Sequence, residues 1–296
     1  MTTVAVVAHR KKTLGGGLEQ LRRALADRGV DAPIWYEIDK SRKATKRAAR
    51  AVADGAEVVF AWGGDGTVQR CVDALAGTGA ALAILPAGTA NLLATNLAVP
   101  KDLDAAVDIG LFGTRRPLDV GRVNGERFAV MAGAGFDAAM IRDADGSMKD
   151  RVGRLAYVWT GARALRRPAR PTRVEVDGKP WFKGESTCVL IANVGTISGG
   201  ITAFPTAEPD DGRLDVGVVT ASGVVEWARV LGRMATGKAH RSPLVQTTSG
   251  TAIDIRFDQK TVYELDGGDR PKAKHLKIRV EPAAIRICVP GPGLPS

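Results

Sequence analysis

The chain is poor in the residues that build metal clusters, disulfide scaffolds and base-stacking platforms. Three cysteines (Cys71, Cys188 and Cys288) in 296 residues are too few and too scattered for a disulfide framework or a zinc site, and read as small buried hydrophobes. His9, His240 and His275 do not cluster, so a histidine metal triad is excluded; His240, after a helix, reads as a surface or helix-end charge. Aromatics make up only 5%, which weighs against stacking platforms for single-stranded nucleic acid, and no nucleic-acid recognition motif is present. No apolar run approaches the ~18 residues of a spanning helix. The start, MTTVAVVAHRKK, puts basic residues after the apolar run, the reverse of a secretory signal. The expectation is a soluble, cytoplasmic protein. Neither G-x-x-x-x-G-K-[ST] nor G-x-G-x-x-G occurs, so P-loop and dinucleotide-fingerprint chemistry is excluded.

Glycine and positive charge are in excess. Glycine accounts for 35 of 296 residues, which implies many tight turns or close backbone approaches to a ligand. The formal charge of +10 points to an anionic partner: nucleic acid, nucleotide phosphate or a membrane surface.

The first third alternates apolar runs with amphipathic segments. Strands are expected at 2–7, 34–38, 57–62 and 81–85, with helices at 18–29, 43–54 and 68–75 between them. This is the pattern of βαβ units and a parallel sheet. After about residue 118 nearly every segment reads as a strand (118–123, 126–131, 172–177, 186–194, 214–219, 251–257, 261–265, 276–281, 284–289), interrupted by helices near 151–166 and 223–237. The fold class expected is an α/β N-terminal domain with a parallel sheet over 1–118, followed by a mainly antiparallel β-sandwich over 119–284. The 285–296 segment is left able to pack back on the first domain. Apolar helical positions at Val152, Leu155 and Trp159, and at Val224, Trp227, Ala228 and Leu231, read as core faces or as a lipid-facing wall.

Chemistry concentrates at two turns. Gly63-Gly64-Asp65-Gly66-Thr67 lies between an apolar strand and an amphipathic helix. Three glycines permit a tight turn, and the helix aims free N–H groups at it, which makes a phosphate cradle. A carboxylate there is repelled by phosphate unless it holds Mg²⁺ or takes a proton; the alternative is a tight βα turn with Asp65 or Thr67 as N-cap. Pro86-Ala87-Gly88-Thr89-Ala90-Asn91 repeats the arrangement after the next strand, at the carboxyl edge of one sheet, where α/β folds bind ligands. Gly15-Gly16-Gly17, after the first strand, reads equally as a third phosphate turn or a flexible loop.

At these residues the chain resembles the diacylglycerol kinase catalytic family, which includes bacterial lipid kinases and sphingosine kinases, and is more distantly similar to NAD kinases. GGDGT (63–67), PAGTAN (86–91), GAGFD (133–137), P-T-A…D-G-R-L-D-V (205–216) and Leu265-Asp266-Gly267 follow the family's motif order. The resemblance implies ATP and Mg²⁺ as co-substrates, a lipid hydroxyl as acceptor and an active site in the cleft between the domains. It implies nucleotide contacts from Gly63, Gly64, Gly66, Thr67, Gly88, Thr89 and Asn91, with Asp65 organising Mg²⁺ and phosphate or orienting the hydroxyl. It also implies a structural Mg²⁺ site at Asp211 with main-chain oxygens of Glu208 and Arg213; Asp211-Gly212 alone reads as a hairpin turn. Two positions depart from the pattern. Leu92 stands where many members carry an acid, and Gly268 stands where the family has the Glu of D-G-E. Asp266 or Asp269 is then left to take the hydroxyl proton. The nucleotide-contacting Thr that some members carry after the second strand is not evident, and Ser41 is the nearest hydroxyl. The function expected is transfer of the ATP γ-phosphoryl to a diacylglycerol-like or sphingoid lipid. The alternatives are an NAD or small-polyol kinase, or a catalytically weakened nucleotide- or lipid-binding homologue.

The excess charge is local. Residues 40–50 sum to +6 and residues 149–173 to +7. These are read as solvated helix faces or as patches docking an anionic bilayer. The expected partners are thus a lipid substrate and peripheral membrane contact, with a homodimer left open.

Overall fold

The computed structural model describes residues 2–135, 169–198, 201–235 and 242–294. GAGFD beyond Gly135, the helix expected near 151–166 with Trp159, most of the 149–173 basic segment and His240 lie outside the described residues. The chain divides into two compact units, Met1–Leu118 with Ala283–Ser296, and Asp119–Pro282.

The first unit is built on β1 (Val4–His9), β2 (Ile34–Ile38), β3 (Val58–Gly63) and β4 (Ala81–Pro86). All are parallel, in the order β4-β3-β1-β2. Every residue of β1, β3 and β4 is buried. Near-continuous apolar strands are what a parallel sheet covered on both faces requires. The helices are α1 (Gly17–Ala26), α2 (Ala44–Ala53), α3 (Asp65–Leu75), α4 (Leu92–Asn96) and α5 (Leu103–Phe112). Residues 286 and 287 add a further parallel pairing, Arg286 to Ala81 and Ile287 to Leu82. The connection from β1 goes to β2 on one side, and the next strand, β3, returns to the other side of β1. The β1/β3 junction is therefore the topological switch point, and its carboxyl end is where ligands settle in such sheets.

β5 (Thr114–Val123) carries the chain into the second unit. There β6 (Glu126–Phe128), β7 (Met131–Ala134), β8 (Arg170–Val176), β9 (Lys179–Ser186) and β10 (Cys188–Ala192) precede the short β11 (Thr196–Ser198) and β12 (Ile201–Thr202). β13 (Leu214–Val219), α6 (Gly223–Ala235), β14 (Val245–Gly250), β15 (Ala252–Leu265) and β16 (Gly268–Val289) complete it. Antiparallel pairing runs β14-β13-β10-β7-β15-β16, with β8 on β15 and β9 on β8. Inward residues such as Phe128, Val189, Ile191, Val216, Ile255 and Ile278 form one apolar core. The α/β-then-antiparallel order is the one expected from the sequence. On α6, Trp227 and Val230 are buried and Val225 is exposed, so this helix has a packed face.

Candidate active site

β3 and β4 end side by side, Gly63 opposite Pro86, and their following turns touch. A Cβ on Gly88 would stand 2.3 Å from Gly64 Cα, and one on Gly64 would stand 3.1 Å from Gly88 Cα. Both positions need glycine because two backbones pass where a side chain would be.

Asp65 opens α3 and reaches across this contact. Its Oδ1 accepts a 2.6 Å hydrogen bond from the Leu92 amide, which begins α4. The carboxylate thus caps a neighbouring helix. Burial raises its pKa, opposed by the amides of Leu92, Asp65 itself, Asn91 and Leu93. A carboxylate held half-buried beside a glycine turn, at the net expense of its ionised form, is the type of group that functional sites contain.

Asn91 adopts a left-handed backbone (φ 51) and is buried. Its Oδ1 accepts from Gly88 N at 2.9 Å, and its Nδ2 donates to the carbonyls of Gly88 (2.8 Å) and Pro86 (3.2 Å). Those bonds turn the side chain inward as a staple of the 86–91 turn. Thr89 and Gly66, by contrast, are exposed, and the Thr89 carbonyl accepts from Lys101 Nζ at 3.3 Å. Thr67 is buried, and its Oγ1 lies 3.0 Å from Ser41 Oγ. Ser41 begins a 3-10 turn after β2, so the loop joins the GGDGT turn through a hydroxyl pair.

The loops at this edge are basic: Arg10, Lys11 and Lys12 after β1, and Lys40, Arg42 and Lys43 around Ser41. Burial, then the Lys12 and Lys11 ammonium groups, hold His9 below the ordinary imidazole value. Further along 40–50 the charge is spent locally. Lys43 pairs with Asp39 at 2.7 Å, Arg50 pairs with Asp54 at 2.9 Å, and Arg47 lies 5.2 Å over the Tyr36 ring.

The second unit carries two further clusters. Asp266 and Gly267, both with positive φ (46 and 76), form the two-residue turn between β15 and β16, as a type I′ hairpin requires. The buried Asp266 carboxylate accepts from the amides of Ala129, Val130 and Met131, each at 2.9 Å. Its oxygens anchor the hairpin, and protonation would break that anchor. Asp269, three residues on, is exposed. Substituting Asp266 with Asn is expected to destabilise the fold by about 1–3 kcal/mol, because an amide NH₂ would then face amide donors. Denaturant unfolding checks this; an unchanged midpoint would mean that the carboxylate is not an anchor.

At the other cluster Asp119 Oδ2 accepts from Gly212 N at 2.6 Å, and Asp211 Oδ1 accepts from Arg213 N at 2.8 Å. Burial, then the charge of Asp211, push Asp215 up to about 6. The Arg213 guanidinium is turned away to Ser249, with Nε to Oγ at 3.0 Å and Nη2 to the carbonyl at 2.7 Å. Glu208 is exposed. Among the described residues no group of three or more His, Cys, Asp or Glu is placed to hold a metal ion. Two neighbouring carboxylates, one of them raised by burial and by the other's charge, still fit a hard divalent cation, which binds one or two carboxylates and completes its shell with main-chain oxygens and water.

Two glycine-rich turns in contact at the carboxyl edge of a parallel sheet, followed by an antiparallel sandwich unit, are features of the lipid and NAD kinase class. Residues 7–123 match the diacylglycerol kinase catalytic domain, and residues 130–289 match the YegS C-terminal NAD kinase beta sandwich-like domain. The diacylglycerol kinase of Bacillus subtilis is 31% identical over 230 residues, covering 76% of this chain and 75% of that protein. A "Probable lipid kinase YegS-like" protein of Pseudomonas aeruginosa is 30% identical over 303 residues, covering 97% of this chain and 94% of its own. A crystal structure of a diacylglycerol kinase from Bacillus anthracis superposes with a TM-score of 0.75 at 21% identity, covering 99% of this chain and 98% of that one; that likeness speaks for the fold. The chain belongs to the diacylglycerol kinase family.

Four features escaped the sequence: the Ser41–Thr67 pair, the inward role of Asn91, the Asp119 and Asp215 carboxylates around Asp211, and Glu126, discussed below. Ser41 left a signal as a hydroxyl after the second strand, Asn91 as the end of PAGTAN and Asp215 as part of D-G-R-L-D-V. Asp119 and Glu126 depend on contacts between residues distant in the chain, and the inward turn of Asn91 is set by its bonds to Pro86 and Gly88 rather than by its residue type.

Proposed function

We propose that the protein is an ATP-dependent lipid kinase that transfers the γ-phosphoryl group to the hydroxyl of a diacylglycerol-like or sphingoid lipid. The observation that carries the reading is the contact of the 63–67 and 86–91 turns with the half-buried Asp65 bridging them. Exposed Gly66 and Thr89, with Gly63, Gly64, Gly88 and Thr67 shaping the turns, bind the nucleotide phosphates beside the basic loops. Asn91 contributes by holding its turn. Asp65 orients the reacting groups. Mg²⁺, when bound, neutralises charge that develops on the transferred phosphoryl.

The lipid oxygen forms its bond to the γ-phosphorus as the bond to the β–γ bridging oxygen breaks, and ADP departs. The hydroxyl proton passes to Asp269, since the Asp266 carboxylate is committed to three amides. Phosphoryl transfer depends mainly on positioning and charge stabilisation, so Gly268 in place of a base does not preclude turnover. Asp211, with main-chain oxygens of Glu208 and Arg213, holds a structural Mg²⁺, and Asp215 adds a second carboxylate. The basic segments 40–50 and 149–173 contact an anionic bilayer, where the acceptor resides. Among the described residues no helix is long and apolar enough to cross a membrane.

Incubation with labelled ATP, Mg²⁺ and a lipid panel, read by mass, tests the reading. Labelled lipid supports it; label in NAD and in no lipid overturns it.

The structural cation has its own test. With Asp215 raised to about 6, its charge lowers stability as pH climbs from the ordinary carboxylate range through 6. Mg²⁺ is therefore expected to raise the Tm more at pH 7.5 than at pH 5, and Asp211→Asn to remove that difference. A Tm indifferent to Mg²⁺ at both pH values would remove Asp211 from any cation site.

A further inference from the structure

The 265–270 hairpin that carries Asp269 is braced by a guanidinium. Arg270 is nearly enclosed, its side chain only 10% exposed. Its Nε donates to Glu126 Oε2 at 2.8 Å and its Nη2 to Glu126 Oε1 at 2.5 Å. Its Nη1 donates back to the carbonyls of Gly268 at 2.8 Å and Asp269 at 3.2 Å. One side chain thus joins β6 to the two backbone carbonyls that follow the turn. The same atom closes position 268 to side chains, since a Cβ on Gly268 would lie 2.8 Å from Arg270 Nη1. Across the hairpin Tyr263 pairs with Arg270. Burial, then the Glu126 carboxylate, raise the Tyr263 pKa, with Arg270 and the Asn124 side chain opposing. The ion pair is thus embedded, and the Asp266 carboxylate pins the other end of the turn to β7 and the residues before it.

We infer that Arg270, held by Glu126, is a positioning residue: it fixes the backbone of Gly268 and Asp269 and so sets where the Asp269 carboxylate is presented to the acceptor hydroxyl. This deepens the proposed function and rests on it. The geometry needs a planar fork. A guanidinium can satisfy a carboxylate with two N–H groups and two carbonyls with others, which a single ammonium cannot do. A side chain at 268 would have to displace the Arg270 Nη1 that bonds the Gly268 and Asp269 carbonyls, so glycine at 268 and this clamp go together.

Steady-state turnover with ATP and the lipid that the wild type phosphorylates tests this. Arg270→Ala is expected to lower kcat roughly 10- to 100-fold, the scale of a misplaced reacting group, with KM for ATP unchanged. Arg270→Lys is expected to fall equally, and added guanidinium ion to restore part of the Arg270→Ala loss. Gly268→Glu is expected to lower kcat in the wild type and to have less effect when Arg270 is already Ala, because the clash is then gone. If Arg270→Ala does not fold, Glu126→Gln, which keeps the volume and loosens the clamp, serves instead and is expected to lower kcat with KM for ATP unchanged. A folded Arg270→Ala protein with wild-type kcat overturns the inference, as does full recovery by Arg270→Lys. A wild type that labels no lipid overturns the proposed function, and with it this inference.

Discussion

Asp65→Asn is expected to abolish phosphoryl transfer while leaving the protein at least as stable at neutral pH as the parent. Burial dominates the raised pKa of Asp65, and the surrounding amides only partly offset it. An acid with a raised folded pKa binds protons more tightly folded than unfolded. Its contribution to stability therefore falls as pH rises from the ordinary carboxylate value through the raised one. Asparagine carries no charge to desolvate and keeps a carbonyl oxygen for the Leu92 amide, 2.6 Å away in the parent. Its stability relative to the parent should therefore improve as pH rises. Activity moves the other way, since a preorganised charge at a reaction centre is worth about 10²–10³ in rate. Asp65→Ala separates the two roles, losing the charge and also the cap on α4, at about 1 kcal/mol. Denaturant unfolding at pH 5 and pH 7.5, beside turnover with labelled ATP, measures both. Unchanged turnover in the Asn variant would remove Asp65 from the mechanism and leave it a helix cap.

Local chemistry made the two turns legible. Strand, glycines and helix are consecutive in 58–75, and the amphipathic spacing of Val68, Cys71, Val72 and Leu75 announces α3. The all-buried β1, β3 and β4 likewise stand out as apolar runs. What stayed hidden depends on distance in the chain or on weak contrast. α5 is buried along Leu103, Ala106, Val107 and Ile109 and so shows little amphipathic stripe; its clearest signal is the Asp102 side chain accepting from Ala105 N at 2.8 Å. β9 and β14 are mostly polar, outward-facing strands with few inward residues to mark a period of two. β16 runs unbroken from Gly268 to Val289, where the sequence suggests two strands parted by Pro282; the left-handed Ala283 (φ 47) absorbs the break.

The same distinction applies within the site. That Asp65 sits in a glycine-rich turn between strand and helix was readable from 63–67, but its hydrogen bond to residue 92 was not. Asp266 was visible as part of a turn motif, yet only the fold shows its oxygens taken by residues 129–131. Polar residues near a glycine turn therefore divide into those that face a ligand and those that hold the turn. Sequence spacing does not separate the two; hydrogen-bond partners do.

Gly88→Ala is expected to disrupt both turns of the candidate site. The added carbon would lie 2.3 Å from Gly64 Cα and 2.7 Å from Asn91 Oδ1. Neither neighbour is a flexible side-chain end that can swing aside: one is backbone, and the other is engaged with Gly88 N at 2.9 Å. The turns must separate, which breaks the Asn91 staple and displaces the Leu92 amide from Asp65. Overpacking of this kind costs about 1–3 kcal/mol. The loss for the nucleotide should be greater than for the fold, because the phosphate-facing edges of both turns move together. Gly64→Ala offers a graded comparison, since its Cβ would lie 3.1 Å from Gly88 Cα and needs only a few tenths of an ångström of relief. The expected order of ATP affinity is parent, then Gly64→Ala, then Gly88→Ala, with Tm in the same order. Calorimetric titration with ATP and Mg²⁺, beside thermal melts, checks both. Equal affinity in the two variants would show that the turns bind independently, and that their contact is packing rather than part of the phosphate site.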